Sequence, residues 1–157
     1  MSLDEDVAVL RRISFFEGFS AEHLKLIAFS AESRSLPEKL LLCDEGQVLH
    51  SAYVILSGLL RAEREVPGTD RIASRAIGTG AILGARALVL DTRAQESVRV
   101  ERRAGVLQIR KVMFRRLLQE HPEIGLALRA RFARNVLQMS SDLNAVAHRL
   151  RGNEDGT

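Results

Sequence analysis

Between Ser33 and Arg110 the chain is cut into short β-rich runs closed by glycine-containing turns, with segments of helical period on either side. Side chains alternate every second residue along a strand and return to one face every 3.6 residues along a helix, so this change of period divides the chain. Leu40 to Cys43 ends at Asp44-Glu45-Gly46, Ser51 to Ser57 at Gly58, and Leu59 to Glu65 at the loop Val66-Pro67-Gly68-Thr69-Asp70. Arg71 to Ile77 follows. Glu96 to Arg102 alternates at Val98 and Val100, and Gly105 to Arg110 carries Val106, Leu107 and Ile109. About eight short strands at this spacing predict an α+β fold built on an antiparallel eight-stranded β-roll, jelly-roll-like, over about 30–110.

The flanks are helical. Val7, Leu10 and Ile13 recur behind an acidic first turn, which predicts a helix over Asp4 to Arg12. Phe15-Phe16-Glu17-Gly18 is a hydrophobic hook, and Ser20 caps a second helix, Ala21 to Phe29, with Leu24, Ile27 and Ala28 on one face. After the roll, Val112 to Glu120 forms one helix, and Pro122 opens a long one that runs from Glu123 to about Arg151. Along it Phe132, Val136, Met139, Leu143, Val146 and Leu150 follow heptad steps of four and three. Ala133, Ser140 and Ala147 beside them are small enough to admit a second helix. The stripe either packs on the chain's own roll or forms the seam of a two-fold homodimer, and the homodimer is the expectation. Residues 1–151 then make one domain, with C-terminal helices over about 111–151 and a polar tail at 152–157.

Several functional classes are disfavoured. The lone Cys43 leaves no internal disulfide and no thiolate metal cluster, and His23, His50, His121 and His148 are scattered without ligand spacing or a nucleophile elbow, so neither a metal site nor an enzyme is expected. The acidic start Asp4-Glu5-Asp6 is unlike a secretory leader, and no apolar run reaches the roughly 18 residues of a membrane span, which points to the cytoplasm. The net charge is +3, yet Glu63, Glu65, Asp70, Glu96 and Glu101 are interspersed with the arginines, so no basic face for DNA is expected. Gly152 to Thr157 is too short and acidic to be a DNA-reading domain, so a module acting without one is expected.

Gly80 to Val98 is the stretch with chemistry in it. A strand runs into glycine, one helical turn follows over Ala85 to Leu90, and a polar loop leads to an alternating strand. Backbone N–H groups at such a helix start are unpaired and attract anions.

Ile13 to Ser20, Leu56-Ser57-Gly58, Gly84 with Ala87-Leu88, Ser97-Val98 and Ile109 to Phe114 resemble, in order and spacing, the cyclic-nucleotide-binding domain family, over roughly Leu10 to Leu150. The resemblance implies a β-roll whose phosphate-binding cassette is the Gly80–Val98 stretch, with the final helix as dimer seam and lid. It implies cAMP or cGMP as ligand, met by Gly84, Ala85, Ser97 and Val98 in the cassette and by Ser140 at the lid, where Met139 is better read as dimer packing. The chain departs from the family at two anchors. Ala85 stands where a glutamate holds the ribose hydroxyl, and Ala94 where an arginine pairs with the phosphate; Glu96 replaces a small residue before Ser97. A hydrogen bond to a charged group contributes about 1.5–3 kcal/mol, so two lost anchors weaken binding roughly 10²- to 10⁴-fold. Arg93, one place from the expected arginine, either reaches the phosphate in its stead or is a solvated loop residue, while Arg86 is expected to turn away from Ala85 by about 100°.

Three readings follow: a cyclic-nucleotide sensor; a cassette without ligand that serves as a dimeric protein-interaction module; or a pocket for a different anion reached by Arg86, Arg93 or Arg99. An effector protein is the expected partner in each.

Overall fold

The computed structural model describes residues 2–131 in two units, one running to Glu120 and the other starting at His121. The first unit contains α1 (Leu3–Arg12), a 3₁₀ turn (Ser14–Phe16), α2 (Ala21–Ser30), β1 (Glu32–Leu36), β2 (Leu41–Cys43), β3 (Ser51–Glu65) and β4 (Ile72–Ile77). It continues with β5 (Ile82–Leu83), a second 3₁₀ turn (Ala85–Leu88), β6 (Ser97–Arg110) and α3 (Lys111–Glu120). In the second unit residues 122–131 are helical, so Pro122 takes the first helical position. The seam from Phe132 to Leu150, with Met139 and Ser140, and the tail at 152–157 lie outside the described residues.

Both N-terminal helices begin where a serine satisfies free amides. The Ser2 hydroxyl accepts from the Glu5 amide while the Glu5 carboxylate accepts from the Ser2 amide, a capping box. Ser20 accepts from the His23 amide at 3.1 Å. The hook then fastens the helices together. The Phe15 ring stands 5.0 Å from Phe16 and 6.4 Å from Phe114, and Phe16 is 5.7 Å from Phe19. Phe16 and Phe114 are buried, so these aromatic contacts tie α3 to the N-terminal layer.

All strand pairs are antiparallel, in the order β1-β6-β3-β4, with β2 also on β6 and β5 on β3. The described residues hold six strands, not the eight expected. The difference lies at the breaks read into the sequence at Gly58 and between Arg102 and Gly105. There β3 and β6 run on for 15 and 14 residues, and their register shifts between Ile55 and Leu60 without the ladder ending. Gly58 has φ of 87°, and a Cβ on it would lie 2.2 Å from the Arg103 carbonyl oxygen. The glycine lets two backbones touch at a bulge, where the sheet bends and rolls up instead of stopping. Inside the roll Leu36, Ile55, Leu60, Ala62, Ile77, Val98, Val100, Ala104 and Val106 form one core. No helix among the described residues is long and apolar enough to cross a membrane.

Candidate functional site

A cavity opens in the roll, and strand register brings Arg75 to it. The ladder sets Ala62 opposite Arg75 on β4 and opposite Val98 on β6, and opposed residues share a face. Ala62 and Val98 are buried in the core, so Arg75 starts from their face, and its exposed side chain lines the cavity. The space is a cavity of about 450 Å³ lined by Ser51, Tyr53, Val98, Gln108 and Arg110 of the long strands, by Ile82 to Arg86 and by Thr92 to Glu96.

Two local devices shape its mouth. Gly84 has φ of 74°, and a Cβ there would come within 3.0 Å of the Ser51 carbonyl oxygen, so the turn into Ala85–Leu88 needs glycine for conformation and for space. The turn is a four-residue 3₁₀ segment, not the longer helical turn to Leu90 that the sequence suggests. The Ala85 and Arg86 amides precede its first hydrogen bond, from the Ala87 amide to the Gly84 carbonyl. The second device is a short ladder: the Gly46 amide donates to the Ala94 carbonyl, Ala94 to Gln47, and Leu49 to Thr92, with Val48 bridging Arg93.

The wall carries four arginines, Arg75, Arg86, Arg93 and Arg110, against one carboxylate, Glu96. Such a wall attracts an anion. Arg75 and Glu96 form a two-pronged pair, Nη2 to Oε2 at 2.9 Å and Nε to Oε1 at 3.0 Å, and the carboxylate raises the guanidinium pKa further. Arg110 is held by Glu32 at 3.0 and 3.1 Å, and this contact keeps the Glu32 carboxyl below its ordinary range. Gln108 is buried, accepts from Arg34 at 2.9 Å and donates to the Ser51 hydroxyl at 3.0 Å. Burial pushes the Cys43 thiol and the Tyr53 phenol up, so both remain protonated near neutrality. Among the described residues no cluster of His, Cys, Asp or Glu could hold a metal ion.

The predicted site residues are placed unequally. Gly84, Ala85, Arg86, Arg93 and Val98 all line the cavity. Arg86 reaches its rim instead of turning wholly away, and Arg93 is exposed there while one guanidinium nitrogen donates to the Gly46 carbonyl at 3.0 Å. Ser97 is outside the lining, and its hydroxyl accepts from the Glu45 amide at 2.9 Å. Arg99 is also outside the lining and donates to the Lys39 carbonyl. Ser140 lies outside the described residues. Sequence reasoning passed over Arg75, although the alternation in Ile72–Ile77 sets it on the side of Ile77, which is buried.

A sequence model of the cyclic nucleotide-binding domain matches residues 33–121. Among solved structures, a cyclic nucleotide-binding-like protein from Brucella abortus is 34% identical, with a TM-score of 0.66 over 74% of this chain and 99% of that one. The N-terminal domain of a Streptomyces coelicolor transcriptional regulator aligns with a TM-score of 0.78 at 20% identity, over 86% of this chain and 94% of that one. The regulatory domain of Toxoplasma gondii PKA, co-crystallised with cAMP, aligns at 0.67 and 12% identity over 87% of this chain and 50% of that one. The last two show likeness of fold. No curated protein matches the chain.

Proposed function

The chain belongs to the cyclic nucleotide-binding domain family, and on that premise we propose that it is a regulatory sensor module whose cavity takes a cyclic mononucleotide, cAMP or cGMP, with the phosphate toward the Gly84 turn. The observation that carries this reading is the excess of arginine on the cavity wall beside a turn whose first amides face no intrahelical partner. Arg93 is adjacent in sequence to Ala94, which stands at the family's arginine position, and it keeps guanidinium N–H groups beyond the one given to Gly46.

The output runs through α3. Lys111, its first residue, is buried and donates to the Leu90 carbonyl at 3.1 Å and to the Asp91 carboxylate, which also accepts from Arg115 at 3.3 Å. A ligand that draws the Ala85–Leu88 turn inward therefore pulls on the start of α3 through Leu90 and Asp91. The heptad pattern of Phe132 to Leu150 in the sequence supports a homodimer, and an effector protein is its reader.

A second reading, a cassette that binds no cyclic nucleotide and serves protein interaction, is favoured by Ala94. It is buried, and both its backbone groups are tied to Gly46 and Gln47. Thermal unfolding with cAMP, cGMP and cyclic di-GMP, followed by calorimetric titration, separates the two. A ligand at 100 times its Kd stabilises the fold by about 2.7 kcal/mol. Saturable stabilisation by a mononucleotide that Arg93→Ala weakens supports the sensor. No shift at millimolar nucleotide supports the interaction module, and a response to cyclic di-GMP alone means a different anionic ligand.

A further inference from the structure

The cavity contains an anion of the protein's own. Glu96 sits where the cassette loop enters β6, one residue before Ser97, and both of its carboxylate oxygens are engaged by Arg75: Nε at 3.0 and 3.2 Å and Nη2 at 2.9 Å. That is the forked contact a guanidinium offers to two oxygens of a phosphate. The other arginines of the wall are held differently. Arg110 is engaged by Glu32, which is not part of the cavity lining; Arg93 donates to a carbonyl; and the Arg86 guanidinium makes no hydrogen bond or ion pair among the described residues. Arg75 alone among them has its counter-ion inside the cavity.

We infer that Glu96 is an internal counter-anion, holding the Arg75 fork inside the cavity as a phosphoester would, and that a phosphate-bearing ligand reaches full affinity only by displacing Glu96 from Arg75. The inference rests on the reading that this cavity takes a phosphate anion. Glu96 acts twice in one direction: it occupies the donors, and its charge repels an incoming anion. The side chains of Arg75 and Glu96 are 58% and 23% exposed. An ion pair so open to water is weak enough to be exchanged, so it works as a displaceable lock.

The test titrates the full chain, Glu96→Gln, Arg75→Gln and the double variant with cAMP and, separately, with inorganic phosphate, after thermal unfolding has established that each is folded. Glu96→Gln should bind both probes about tenfold more tightly than the natural chain, about 1.4 kcal/mol, and the double variant should lose the gain. Arg75→Gln alone should bind phosphate more weakly than the natural chain, which keeps the inference testable if Glu96→Gln does not fold. A gain for phosphate without cAMP binding in any variant supports the lock and refutes the nucleotide reading. Tight cAMP binding by the natural chain, unchanged in Glu96→Gln, supports that reading and overturns the lock. A gain that survives removal of Arg75, or no change in either probe, also overturns it.

Discussion

Replacing Gly58 by alanine tests the claim that β3 and β6 are continuous strands touching at a bulge. Two costs arise, and a second glycine separates them. Gly18 and Gly58 both have φ of 87°, but a Cβ on Gly18 meets nothing within 4 Å, whereas one on Gly58 meets the Arg103 carbonyl oxygen at 2.2 Å, the Ala104 Cα at 2.6 Å and the Arg103 carbonyl carbon at 2.8 Å. The left-handed conformation costs alanine about 1–2 kcal/mol at either site. Alanine's lower entropy in the unfolded chain offsets about 0.4–1 kcal/mol of this. The clash is specific to Gly58. Its atoms are backbone, which no rotamer change relieves, so overpacking adds about 1–3 kcal/mol there. For a chain of this size 1 kcal/mol moves the Tm by about 2–4 °C, so Gly58→Ala should melt about 2–12 °C below Gly18→Ala. The assay is thermal unfolding of both variants followed by circular dichroism, with urea titration to confirm equal m-values. Equal melting of the two variants would refute the close approach of the strands at Gly58.

Ser97→Ala should cost about 0.5–1.5 kcal/mol, because the Glu45 amide loses its acceptor; faster hydrogen exchange at Glu45 would identify that bond as the cause. The Lys111 ammonium, with Arg115 beside it, holds the Asp91 carboxyl below its ordinary value. A depressed carboxyl contributes stability that is present above the unfolded pKa and lost as pH falls through the folded one, so the Tm difference between the natural chain and Asp91→Asn should hold from pH 7 to about pH 4 and shrink only below that. A difference that shrinks already near pH 6 would exclude Asp91 as the group responsible.

Much of the fold is legible locally. Ser20 before a period-3.6 run, the aromatic hook and the alternation at Val98 and Val100 each mark an element that the structure contains. The misreading at Gly58 has a physical cause. A glycine that terminates a strand and one that lets two strands touch look alike in sequence, since what distinguishes them is the Arg103 carbonyl 45 residues away, which a Cβ would meet. At the site, Gly84 was readable from its turn and Arg75 from strand alternation, but the partners were not. The Ser97 hydroxyl accepts from the Glu45 amide, a partner 52 residues away that the cassette sequence does not indicate.

By itself, the sequence determined the order and type of most elements, their caps, and a cassette glycine followed by a short turn, because these depend on a residue and neighbours within a few positions. Tertiary structure decided how many strands result, that Arg75 meets Glu96, and that Lys111 clamps Leu90 and Asp91. Those contacts depend on strand register and on where the sheet bends. Both are properties of the whole roll, which arise only when residues far apart in the chain are brought onto one face.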